Sequence, residues 1–133
     1  KLNSCSLIKL DIEGHEWVAM QGASNFILRH RPTIYMEAKN DLESTENCLK
    51  WLIENDWNCY WHFAFWYKKN NYKKNNDISI LAGVGAGVGD MNLLAVPKER
   101  TQPDYLPKIS NFNEKWSQEN YLSFFKEKNI DMI

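Results

Sequence analysis

The chain has 133 residues, 44% apolar and 14% aromatic, with a formal net charge of −1. That is one domain or part of one, able to bury roughly two-thirds of its unfolded surface, which excludes a globally disordered chain. The near-neutral balance gives no general attraction to nucleic acid or anionic membrane, and no run of 18 apolar residues is present to span a bilayer. Cys5, Cys48 and Cys59 include no C-x-x-C pair, which argues against a disulfide scaffold or a zinc knuckle and for free thiols in a cytoplasmic protein. No apolar signal core follows Lys1, and the missing initial Met fits a chain cut from something longer.

In chain order, Ile8, Leu10 and Ile12 alternate with Lys9, Asp11 and Glu13, the period-2 pattern of a strand. Gly14 marks a turn, after which the apolar spacing widens to that of a helix through Trp17, Met20, Ser24 and Ile27. Residues 16–30 read as a helix, with Arg29, His30 and Arg31 suiting its C-terminus and Pro32 stopping it. Thr33–Ala38 is a second strand of β-branched and aromatic residues. Asp41 or Ser44 then offers an N-cap to a second helix whose apolar face is Thr45, Cys48, Leu49, Leu52 and Ile53, closed by Asn55-Asp56 with Asn as the left-handed cap. Strands alternating with helices imply right-handed crossovers and a parallel sheet.

Cys59–Tyr67 is apolar or aromatic almost throughout and reads as a strand buried on both faces. Lys68–Asn76 is a basic, asparagine-rich loop whose lysines 68, 69, 73 and 74 read as solvated. Ile78–Leu81 is a short apolar patch, and the glycine run 83–89 reads as a flexible connector. Nothing resembling a phosphate loop surrounds that run, since no Lys-Ser/Thr follows and a strand comes next. Met91–Val96 is the last clear strand, expected to pair antiparallel with Cys59–Tyr67 because no helix separates them. Pro97, Pro103 and Pro107 keep the next segment extended, and Asn113–Lys128 has the pattern of a terminal helix with Trp116, Leu122 and Phe125 inward.

The acidic stretch after the first strand is the place to look for chemistry, because ligands of parallel α/β sheets sit beyond the carboxyl ends of the strands. Asp11 is a candidate base, metal ligand or substrate contact, against the plainer reading of a helix cap or a partner for Lys9. Glu13 alternates onto the face of Asp11, and His15 is a side chain suited to act as a base. Glu16, in the first helical turn, reads as structural, favoured there by the helix dipole. A metal held by Asp11, Glu13 and His15 requires the backbone to rearrange. His15-Glu16 is not a zinc-protease motif either, since Ala19 stands where the second His belongs. Glu37, at the end of the second strand, is a further cleft candidate, and His62 and Trp66 share a face that lines an acceptor pocket if their strand ends at the cleft.

Ile8-Lys9-x-Asp11-x-Glu13-Gly14-x-Glu16 resembles the signature of the FkbM family of S-adenosylmethionine-dependent methyltransferases. Arg31-Pro32-Thr33-Ile34-Tyr35-Met36-Glu37 resembles that family's next strand, and Cys59-Tyr60-Trp61-His62 and Asn92-Leu93-Leu94-Ala95-Val96-Pro97 resemble its last two, so the likeness runs roughly over residues 7 to 97. The resemblance implies an α/β fold: part of a Rossmann-like sheet, its fourth through seventh strands with the last pair antiparallel and helices on the faces. It divides the chain into a methyltransferase portion, residues 1–100, and a C-terminal extension, 101–133, with a possible helix.

It further implies methyl transfer from S-adenosylmethionine to a hydroxyl of a small molecule or sugar. Asp11, Glu13 and His15 would be the catalytic group and Glu37, His62 and Trp66 the substrate contacts. The family's glycine-rich cofactor loop would lie before Lys1, no residue is assigned as a resident metal ligand, and a divalent metal remains compatible. The partners expected are a small-molecule or glycan acceptor and a second copy of the chain at an open sheet edge, with no nucleic acid and no membrane. Two other readings stay open: a non-catalytic α/β binding module or truncated relic, and a metal-dependent hydrolase built on Asp11, Glu13 and His15.

Overall fold

The computed structural model describes residues 3–39, 43–66, 72, 74 and 89–128. The expectations for 67–71, 73, 75–88 and the last residues of the chain, including most of the lysine-rich loop and glycine run, fall outside them.

The elements run β1 (Leu7–Leu10), α1 (Glu16–His30), β2 (Thr33–Glu37), α2 (Glu43–Glu54), β3 (Trp57–Phe65), β4 (Gly89–Pro97) and α3 (Gln118–Glu127). They form a mixed α/β fold on an open four-stranded sheet in the order β1-β2-β4-β3. β1 and β2 are parallel, as the intervening helix dictates. β4 lies between β2 and β3 and runs antiparallel to both. The expected β3–β4 pairing is present, and the insertion of β4 beside β2 adds a contact that hairpin logic alone does not give. β1, β2 and β3 therefore point the same way, and their carboxyl ends share one rim of the sheet.

The register explains the burial. Ile34, Ala95 and Cys59 stand in one row and Met36, Leu93 and Trp61 in the next, all buried. β2 alternates these with half-buried Thr33, Tyr35 and Glu37. Burying one side chain of the size of Ile34 or Leu93 contributes about 1.5–3 kcal/mol. α1 and α2 lie against each other, and α2 against β3. Met20 and Ile27 of α1, and Thr45, Cys48, Leu49 and Leu52 of α2, supply their buried faces, as the helical spacing predicts.

Several local expectations are corrected. β1 stops at Leu10, so strand alternation does not carry Glu13, and Ile12 is exposed. Ser44 lies inside α2 instead of capping it, and Asp41 is outside the described residues. The left-handed position after α2 falls on Asp56 (φ 70°), while the Asn55 amide turns back to the Trp51 carbonyl at 2.8 Å. Gly89, the last of the glycine run, is already the first residue of β4. The terminal helix begins only at Gln118, because the Ser117 hydroxyl accepts from the Asn120 N–H and caps it there. Trp116 thus precedes α3, and the buried residues of α3 are Tyr121 and Phe125, with Leu122 half-buried.

The segment before α3 is not loose. Trp61 N–H donates to the Pro107 carbonyl and Ile109 N–H to the Cys59 carbonyl, so residues 107–109 run along the outer edge of β3. Leu106, Ile109, Tyr121 and Phe125 are buried in the same core as the sheet.

At the end of the sheet away from the carboxyl rim, Arg31 adopts a left-handed conformation (φ 49°) and closes α1. Its guanidinium stacks 3.7 Å from the centre of the Trp57 ring and donates to the Asn55 and Asp56 carbonyls and the Glu99 carboxylate. One side chain joins the ends of α1, α2 and β4.

Candidate active site

The turn from β1 to α1 bends sharply. Glu13 (φ 54°) and Gly14 (φ 92°) are both left-handed, a conformation that costs a residue with a β-carbon about 1–3 kcal/mol unless its surroundings hold it. Glu16 does that holding. Its carboxylate, 3% exposed, accepts from Ile12 N–H at 3.2 Å and Gly14 N–H at 3.3 Å with one oxygen, and from the Ser44 hydroxyl at 3.4 Å with the other. The Ser44 oxygen in turn accepts from Trp17 N–H at 3.0 Å. Glu16 is structural, as expected, but through these bonds rather than only through the helix dipole.

Folded this way, the turn brings Asp11 and Glu13 to Glu37 at the carboxyl end of β2. One oxygen from each of the three lies within 4.8 Å of the others. Asp11 is half-exposed and takes Lys9 at 2.8 Å, the plainer pairing the sequence allows. Glu13 takes Lys39 at 2.8 Å, and Lys39 also reaches Glu37 at 3.5 Å. The hydrogen bond that Lys39 donates to Glu13, with the nearby Glu37 charge, raises the Lys39 pKa above the ordinary lysine value. His15 is exposed at the N-cap of α1, makes no side-chain cap, and is not among the three converging groups. Three carboxylates fit a hard, oxygen-ligated cation such as Mg or Mn, with Glu37 in place of the His15 considered from sequence. Lys39 already brings positive charge to two of them.

Of the residues assigned to the acceptor, Glu37 is one of the converging carboxylates, His62 shares its face of the sheet and Trp66 lies beyond the strand. Glu37, Asn92 and His62 form one cross-strand row. His62 Nδ1 shares a 2.8 Å hydrogen bond with the Tyr35 hydroxyl, and burial pushes that phenol's pKa up. Trp66 lies past the end of β3, is half-exposed, and donates to Asp90. The cavity nearest the carboxylates opens on the other side, beside Trp61 instead. It holds about 190 Å³ and is lined by Lys39, Thr45, Leu49, Trp61 and Phe112 among others. Sequence reading missed Lys39 and Phe112. The first had a faint signal, a cation two positions after a strand-end Glu37; the second had none, because it reaches the site only by the return of the C-terminal segment.

A strand, an acid-bearing turn anchored by Glu16, and a second strand ending on Glu37 make one continuous unit. Residues 1–56 match the family model of the Methyltransferase FkbM domain. No curated protein and no solved structure matches the chain. The FkbM match contains Asp11, Glu13, Glu16, Glu37, Lys39 and Ser44, so the whole acidic cluster and its anchor fall within it. It ends before β3, so the resemblance seen in Cys59–His62 and Asn92–Pro97 lies beyond the matched FkbM region. No helix among the described residues is long and apolar enough to cross a membrane.

The described residues do not furnish an obvious cradle for a nucleoside cofactor. The strand–turn–helix from β1 to α1 carries acids, and Glu16 and Ser44 already take the N–H groups of Ile12, Gly14 and Trp17.

Proposed function

We propose that this chain supplies the acceptor side of an S-adenosylmethionine-dependent O-methyltransferase built on a Rossmann-like sheet. The observation that carries the reading is that the FkbM-matched segment is also the segment whose carboxylates Asp11, Glu13 and Glu37 converge at the carboxyl rim of parallel strands. S-adenosylmethionine supplies the methyl group when bound. This chain's contribution is to hold the acceptor hydroxyl and take its proton. Asp11 is the base: its pairing with Lys9 is between half-exposed groups and is easily exchanged for a substrate hydroxyl. Glu13 and Glu37, joined through Lys39, fix the rim around it, and His15, exposed at the N-cap of α1, is a supporting residue. In a variant of this reading Asp11, Glu13 and Glu37 would hold a divalent cation, and the cation would lower the acceptor hydroxyl's pKa.

The Lys39 pairing favours one competing reading, a non-catalytic module in which these acids form only a surface ion-pair network. Methylation of a hydroxyl-acceptor panel by methyl-labelled S-adenosylmethionine separates the two, using the protein with any sequence that precedes Lys1 in its reading frame. Asp11→Asn should lower turnover by about 100-fold or more while leaving stability nearly unchanged. A chelator abolishes activity only in the metal variant. Full turnover in Asp11→Asn, or no transfer to any acceptor by wild type, would remove the assignment.

A further inference from the structure

Resting on that reading, we infer that the cavity beside Lys39 is the acceptor subsite, walled by the C-terminal segment, and that it takes a single uncharged polyhydroxylated ring. Position comes first. Lys39 lines the cavity and its ammonium sits 2.8 Å from the Glu13 carboxylate, so a hydroxyl at the Lys39 end is next to the acidic rim. Size comes second. At about 190 Å³ the cavity holds roughly six waters, well below the ~300–1,000 Å³ of sites for drug-sized ligands, and suits one ring with its substituent outside.

The lining then selects the chemistry. Trp61, Phe112 and Leu49 give apolar walls for the C–H faces of a ring. The Thr45 hydroxyl, the Asn113 amide, Glu46 and Lys115 place donors and acceptors around them, and a hydroxyl group is both at once. Charge argues against an anionic ligand. Glu13 and Glu37 already engage Lys39, and Glu46 and Glu114 line the cavity against Lys115, with Lys50 beside Phe112, so four carboxylates stand against three ammonium groups. A phosphorylated ring meets net repulsion.

The wall itself is built. Glu114 accepts from the Trp61 indole N–H at 3.3 Å and from Ser110 N–H at 2.9 Å, which fixes the 110–114 turn against the middle of β3. The Lys50 ammonium lies 5.8 Å from the centre of the Phe112 ring and holds that ring toward α2.

The test is a nitrogen–proton NMR titration of the full chain without cofactor, following the Trp61 indole N–H, assigned with Trp61→Phe. Methyl glycosides of glucose, galactose and mannose are added up to high millimolar, with glucose 6-phosphate and cyclohexanol as controls. At least one glycoside should shift the Trp61 signal saturably, with about tenfold weaker binding for glucose 6-phosphate and cyclohexanol and in Glu46→Gln and Phe112→Ala. Glu46 is exposed in the first turn of α2, so its variant keeps the test valid if Phe112→Ala does not fold. Absence of a shift with every glycoside, equal binding of glucose 6-phosphate, or unchanged binding in Glu46→Gln overturns the inference. Because no methyl donor is present, loss of the transfer activity proposed above leaves this titration untouched, and a silent titration leaves that activity to its own assay.

Discussion

The Glu16 carboxylate and the Ser44 hydroxyl, 28 positions apart in the chain, meet at 3.4 Å beneath the acidic turn and tie the first turn of α1 to that of α2. Removing the carboxylate leaves the Ile12 and Gly14 N–H groups without their acceptor. Glu16→Ala should therefore cost about 1–3 kcal/mol in urea denaturation, because it strands two partly buried donors beside an emptied buried position. Glu16→Gln keeps one oxygen acceptor and should lose less. An unchanged midpoint in Glu16→Ala would mean that the turn holds its shape without this anchor.

Two glycines are conformationally required, for different reasons. Gly14 has φ 92°, where a β-branched residue is strained, and Gly14→Val should destabilise by about 1–3 kcal/mol. Gly89 is required by space. A β-carbon there would overlap the Ala64 carbonyl oxygen and come within 2.9 Å of the Phe65 α-carbon, all backbone atoms of the paired strand β3. Gly89→Ala should cost about 1–3 kcal/mol by forcing β3 and β4 apart. Wild-type thermal midpoints for these variants would refute both arguments.

The Arg31–Glu99 pair provides a pH signature. The hydrogen bond from Arg31 holds the Glu99 carboxyl at about 2, below its ordinary 4.5. A carboxyl depressed in the folded state adds stability above its unfolded value and loses it as pH falls through the folded one. The stability difference between wild type and Glu99→Gln should thus be constant above pH 4.5 and shrink toward zero near pH 2. Glu99 is half-exposed, so the plateau should stay below about 1 kcal/mol. Arg31→Lys should cost more than Glu99→Gln at neutral pH, because lysine cannot reproduce both carbonyl contacts and the stacking on Trp57. Equal losses in the two variants would limit the role of Arg31 to the ion pair.

Thiol chemistry should separate the cysteines. Burial pushes both the Cys48 and Cys59 thiols up to about 12, so almost no thiolate is present at neutral pH, while Cys5 is half-buried near the N-terminus. Iodoacetamide should label Cys5 alone in the native protein and all three cysteines in denaturant, read by mass spectrometry. Native labelling of Cys48 or Cys59 at the rate of Cys5 would show that α2 opens from the sheet.

By itself the sequence determined what is local. The period-2 pattern of β1, the β-branched and aromatic residues of β2, the helical stripe of α1 with Arg29, His30 and Pro32 at its end, and the apolar face of α2 are properties of neighbouring residues. β2, α1 and α2 form within a residue or two of where the pattern places them, and β1 starts there but stops three residues short of Glu13. The acidic stretch and its likeness to the FkbM family were legible for the same reason, since Asp11, Glu13 and Glu16 lie within six consecutive positions. Tertiary structure decided the rest. Strand alternation put Glu13 beside Asp11, yet β1 ends at Leu10, and it is the left-handed turn clamped by Glu16 that delivers Glu13 to Glu37 and Lys39. The insertion of β4 between β2 and β3 is a long-range pairing whose register depends on which faces are buried, information spread over residues 34 to 97. Phe112 joins the cavity for a similar reason. Nothing around it in the chain marks a site, and it arrives there because residues 107–109 pair with the edge of β3 and Glu114 bonds to Trp61.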